Sequence, residues 1–263
     1  MREVRQPGMA AWLPRDRTRT VASEQGEGEE AASPGRVTAR PEVRWGMGDA
    51  AAGAGIGFFA SAVAASIWTA ASGGDVESLG ALAAGQIGLW LGLLGWPVLV
   101  SRVKGRGSLV DDFGLRARPW DALGLVAGVV CQLVVIPVLY LLVQLVTGDL
   151  DVERPARELA DRAHGAGFVV LALLVVLGAP VIEELFFRGL LLRAAERRVG
   201  TRWALAISSV AFAASHFELV QFPGLALVGL VFGILVVRTG RLGPGIAAHL
   251  AFNATAVVSL ALR

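Results

Sequence analysis

From about residue 50 to residue 262 the chain is a succession of apolar stretches separated by short charged loops: 50–71, 79–100, 120–146, 165 into the Glu183 region, 203–216, 223–237 and 244–262. A helix of about 20 apolar residues crosses the hydrocarbon core of a bilayer. Lipid offers the backbone no hydrogen-bond partners, so only helices and closed barrels span it. Stretches of this length and separation predict an all-α, polytopic transmembrane helical bundle of about seven spans. The fifth and sixth are short for spanning helices, so their ends are the least defined. Composition agrees: 54% of residues are hydrophobic and 17% charged, against about 25% charged in soluble domains, and the mean hydropathy is +0.60. Pro97, Pro137 and Pro180 fall inside the spans and predict kinks. The Gly- and Ala-rich first span suits close helix packing. No repeat of 20 to 50 residues is visible, which argues against a repeat-built transporter.

Residues 1–48 contrast with this. They are polar, balanced in charge and without apolar periodicity, as in Glu24-Gln25-Gly26-Glu27-Gly28-Glu29-Glu30. This predicts a disordered tail, and the lack of an apolar run after the early arginines argues against a signal peptide. The bundle then occupies residues 49–263. Net charge is +2, which gives no reason to expect nucleic acid as a partner. Arg102, Lys104, Arg106, Arg116 and Arg118 join spans two and three, Arg193, Arg197, Arg198 and Arg202 join four and five, and Arg238 and Arg241 join six and seven. The alternate loops are acidic, with Asp75 and Glu77 in one and Asp149, Asp151, Glu153, Glu158 and Asp161 in another. The positive-inside rule therefore places the tail and the basic loops in the cytoplasm of a multi-pass protein of the cell membrane.

Few polar side chains lie within the spans: Glu183, Glu184 and Arg188 on the fourth, His216 at the end of the fifth, and His249 and Asn253 on the seventh. A charge near the bilayer centre costs about 2.5–3.5 kcal/mol on insertion scales, so such residues face the protein interior or a wet cavity. Glu184 and Arg188, four apart, share a helix face and can pair; Glu183 is rotated by about 100° and is free to point to the bundle centre. His249 and Asn253, also four apart, project together. Helical rise puts Glu183 and His216 at similar depth on a hairpin turning near Gly200, roughly 25 Å from its tip, and His249 about 9 Å beyond the turn at Gly243-Pro244. A protruding first hairpin and a flush second one bring all four groups to one level.

Burial in apolar surroundings makes a carboxylate a stronger base. With a histidine beside it to hold a water, and a second histidine and an amide to donate to a developing oxyanion, the set suffices for attack of water on a peptide carbonyl. No covalent alternative presents itself. The single cysteine, Cys131, has no histidine near it in sequence, and Ser208, Ser209 and Ser215 read as helix-packing serines.

Glu183-Glu184-x-x-x-Arg188, Phe212-x-x-x-His216 and His249-x-x-x-Asn253, in this order on successive spans, resemble the motifs of the CAAX prenyl endopeptidase and bacteriocin-processing (CPBP, or Abi) family of intramembrane proteases. Asp112-Phe113-Gly114-Leu115-Arg116 is similar to the family's lead-in, so the resemblance covers about 111–263. It implies hydrolysis of a peptide bond in a membrane-associated polypeptide. Glu183 and His216 would activate water, His249 and Asn253 would stabilise the oxyanion, and Glu184 and Arg188 would support them. A glutamate with two histidines could bind zinc, but no His-Glu-x-x-His pair is present, and the expectation is no catalytic metal or other cofactor. The competing readings are a non-catalytic membrane immunity or scaffold protein and an ion-coupled transporter.

Overall fold

The computed structural model describes residues 43–75, 78–163 and 165–262. Among the described residues all regular structure is helical. Helix α1 is Met47–Ser72 and α2 is Leu79–Lys104; a short α3, Leu109–Phe113, precedes α4, the continuous helical run Pro119–Thr147. A polar α5, Arg154–Arg162, lies in the acidic loop. The run Ala166–Ala214 is broken at Gly200 (φ 77°, ψ 165°) into α6 (166–199) and α7 (201–214); α8, Phe222–Thr239, and α9, Gly243–Ala261, follow. Six of these runs are long and apolar enough to cross a membrane. Gly200 divides the longest of them into two helices, 166–199 and 201–214, in rough agreement with the expected seven spans.

The expected tail falls mostly outside the described residues. Its last part is structured: Trp45 is buried against Phe113, with ring centroids 5.0 Å apart, and the Arg197 guanidinium lies 3.9 Å over the Trp45 ring. The ordered unit therefore reaches back before residue 48, because a large aromatic ring and a cation supply a packing site at the head of α1.

Backbones approach closely at small residues, as association in lipid requires. A Cβ on Gly92 of α2 would come within 2.3 Å of the Gly57 Cα on α1. One on Gly124 or Gly128 of α4 would meet the carbonyl oxygens of Pro244 (2.3 Å) and Ala248 (2.0 Å) on α9. Pro137 and Pro180 each follow a wide π turn, Cys131–Val135 and Leu174–Gly178. Proline removes one intrahelical donor and its ring crowds the carbonyl four residues back; widening the preceding turn relieves that crowding.

The basic loops share one end of the bundle. Leu242 N–H donates to Gly114 O (2.8 Å), Gly243 N–H to Arg116 O (3.1 Å) and Arg44 N–H to Lys104 O (2.7 Å). Arg193 of α6 donates to Gly240 O (3.0 Å) in the turn before α9. Arg193 is thus level with that turn, and the Gly200 tip lies seven residues of helix further on, about 10 Å. The first hairpin protrudes past the second. The acidic loop occupies the other end, where Gln221 donates to Val152 O (2.9 Å) and Tyr140 to Val220 O (2.7 Å).

Candidate active site

The site begins where α6 passes from its α-helical Ala179–Glu183 turn into a π-helical segment, Glu184–Leu191. Successive residues rotate less about the axis of a wide turn than in an α-helix, so Glu183 and Glu184 both reach the neighbouring α9. Such π segments recur at functional sites. Glu184 is fully buried. Its Oε1 accepts from Arg188 (2.8 Å) and stands 3.2 Å from His249 Nδ1. A carboxylate paired with arginine only accepts, so His249 Nδ1 is the donor in this contact. The Nε2 of the same ring is 3.9 Å from Glu183 Oε2. That gap is too long for a direct hydrogen bond and suits a bridging water.

Arg188 is also fully buried. Its second terminal nitrogen donates to Gly229 O on α8 (2.9 Å), and its guanidinium lies 4.5 Å from the Phe212 ring centroid and 5.9 Å from that of Phe232. Gly229 and Gly245 make room: a Cβ on Gly229 would meet Arg188 at 3.2 Å, and one on Gly245 would meet Glu184 Oε2 at 2.9 Å.

Phe212 of α7 is the hub between the two histidines. Its ring centroid is 4.9 Å from His216 and 5.6 Å from His249, edge to face in both cases. His216 Nδ1 is 2.8 Å from Phe212 O. A carbonyl can only accept, so Nδ1 carries the proton and Nε2 is free. Phe217, at φ 56°, adopts the left-handed conformation directly after His216, a strained geometry for a bulky residue, and packs its ring on Phe58 of α1 (5.4 Å). Glu183 and His216 are partly open, while Glu184, Arg188 and His249 are buried behind them.

The structure therefore brings Glu183, Glu184, Arg188 and His249 together, with His216 against the same aromatic ring and in no direct contact with Glu183. Asn253 is engaged elsewhere: its Nδ2 donates to Val175 O (2.8 Å), on the other side of Pro180 from Glu183. In the π turn the Ala179 N–H reaches back to Leu174 O. The next acceptor, Val175 O, would require the N–H that Pro180 lacks, and Asn253 supplies the missing donor. The sequence gives no sign of the Gly229 and Val175 carbonyls, or of Phe232, whose ring centroid is 5.2 Å from that of His249. Only Pro180 hinted that some carbonyl nearby needs a partner.

Residues 165–255 match the family model of the type II CAAX prenyl endopeptidase, Rce1-like. This segment is similar to the CAAX prenyl endopeptidase family. The family is one of membrane proteases, and the matched stretch contains all six residues described above. No curated protein and no solved structure matches the chain.

Proposed function

We propose that the chain is an intramembrane endopeptidase that hydrolyses a peptide bond of a membrane-associated polypeptide. The observation that carries this reading is the Glu183–His249 gap of 3.9 Å, one water wide, backed by a fully buried Glu184–Arg188 pair. Water held between Glu183 Oε2 and His249 Nε2 attacks the scissile carbonyl. Glu183 takes its proton, the new C–O bond forms and carbonyl charge moves to oxygen. When His249 carries a proton on each nitrogen, Nε2–H donates to that oxygen and the Glu184 carboxylate balances the ring through Nδ1. Collapse breaks the C–N bond, and the proton returns to the departing amine, assisted by the free Nε2 of His216. Asn253 acts through Val175, holding the Pro180 break that aims Glu183.

Zinc fits the donor set poorly. Glu184 Oε1 already serves Arg188 and His249, the His249 Nδ1 is committed, and a guanidinium stands beside the carboxylate. Among the described residues no three His, Cys, Asp or Glu side chains converge as ligands. We therefore derive no step through a metal. The positive-inside rule puts the end carrying the basic loops, and residues 43–45 with it, in the cytoplasm.

N-terminal proteomics of membrane fractions tests the proposal. New protein N-termini present with the native chain should vanish with Glu183→Gln at equal membrane abundance. A phenotype that survives both Glu183→Gln and His216→Ala favours a scaffold instead, and ion-dependent uptake by vesicles favours a transporter.

A further inference from the structure

A cavity of about 330 Å³ opens at the basic end of the bundle, away from Glu183. Four arginines line it: Arg116, Arg118, Arg193 and Arg241. Its floor is built, because the Gly114–Arg116 backbone is bonded to Leu242 and Gly243. Arg116 donates to Asp111 (2.6 Å), Arg241 to Asp121 (2.5 Å), and Arg193 to Gly240 O (3.0 Å), leaving the buried Arg193 Nε without an acceptor. The Arg118 guanidinium donates no hydrogen bond among the described residues, although its backbone N–H donates to Asp121 (2.7 Å). Two carboxylates thus face four guanidiniums, an excess of two positive charges that an anion would balance. The neighbouring cavity of about 230 Å³ shares Arg193 and Asp111 and adds Arg106, Arg197, Asp112 and Glu196; counted together, six guanidiniums face four carboxylates, so the excess of two positive charges remains.

Depth identifies the source of the anion. Trp120, two residues after Arg118, is 78% exposed, and Leu123, one turn on, is 69% exposed. A tryptophan turned outwards at the start of a span sits at headgroup level, and Leu123 offers an acyl chain a surface below it. Guanidiniums grouped between spans at this level are suited to a phosphate, which they bind through paired N–H donors. We propose that this cavity binds the phosphate of an anionic phospholipid, with its acyl chains descending along the outer face of α4. Because Arg193 belongs to α6 and Gly240 adjoins α9, an occupied cavity ties together the two helices that carry Glu183 and His249.

Thermal unfolding of the full chain in detergent tests this without reference to cleavage. Phosphatidylglycerol should raise the midpoint by at least about 2 °C where phosphatidylcholine does not. Arg118→Gln, and separately Arg116→Gln, should remove most of that rise while leaving the lipid-free midpoint near its native value. Equal midpoints in the two lipids overturn the proposal, as does a full rise retained in both variants. A matching rise with inorganic phosphate alone overturns the lipid assignment.

Discussion

Replacing Arg188 with methionine tests the electrostatic framework of the site. The guanidinium is fully buried, donates to Glu184 and to Gly229 O, and lies over Phe212. Methionine fills comparable space without charge. Glu184 would then keep only His249 as a partner, and its Oε2 has none even in the native chain. Breaking a buried pair by removing one member costs about 3–5 kcal/mol, because the other charge is stranded. At about 1.4 kcal/mol per factor of ten, the folded-to-unfolded ratio should fall by two to three and a half powers of ten. Removing both charges in Glu184→Met/Arg188→Met should recover about half of this. The residual cost is about 1–3 kcal/mol for the His249 Nδ1–H left without its acceptor. Unfolding in mixed micelles, followed by far-ultraviolet circular dichroism, measures both variants. A single variant that loses under about 1 kcal/mol, the range of an exposed pair, refutes the buried-charge account. A double variant no better than the single one refutes it differently, by assigning the cost to packing. The double variant should still be inactive, because His249 has lost the carboxylate that orients it.

Two further substitutions separate helix packing from chemistry. Gly128→Leu places a Cβ 2.0 Å from Ala248 O and 2.8 Å from Phe252 N; it should force α4 off α9, cost about 1–3 kcal/mol in the same unfolding assay and abolish the new N-termini, whereas Gly95→Ala, with nothing within 4 Å, should change neither. Asn253→Ala strands Val175 O and should cost about 1–3 kcal/mol; in a Pro180→Ala background, where residue 180 regains an N–H, the cost should fall by at least half, and strictly additive costs would show that Asn253 does not compensate for the proline.

Much of the architecture is legible in hydropathy. The expected third span, 120–146, is the observed Pro119–Thr147, and the seventh, 244–262, is Gly243–Ala261. The hairpin at Gly200 and its protrusion followed from counting residues against helical rise, since depth in a straight helix is a linear measure. The four-residue spacing of Glu184 and Arg188 likewise announced a pair that forms at 2.8 Å. The same spacing suggested that His249 and Asn253 act as one unit, and here spacing alone misleads. His249 turns to Glu184 while Asn253 turns to Val175, one helical turn on.

The sequence by itself determined the order of the apolar helices, where the chain turns between them and which few polar side chains they carry. It could do so because a bilayer penalises each exposed polar group residue by residue, and that penalty adds along the chain. Which of those groups meet was decided only in three dimensions. The π turns at Leu174–Gly178 and Glu184–Leu191 reset the directions in which α6 presents its side chains, and glycines at 128, 229 and 245 set how near α4, α8 and α9 come. Hydrogen bonding changes over fractions of an ångström, a scale fixed by contacts between helices far apart in the chain.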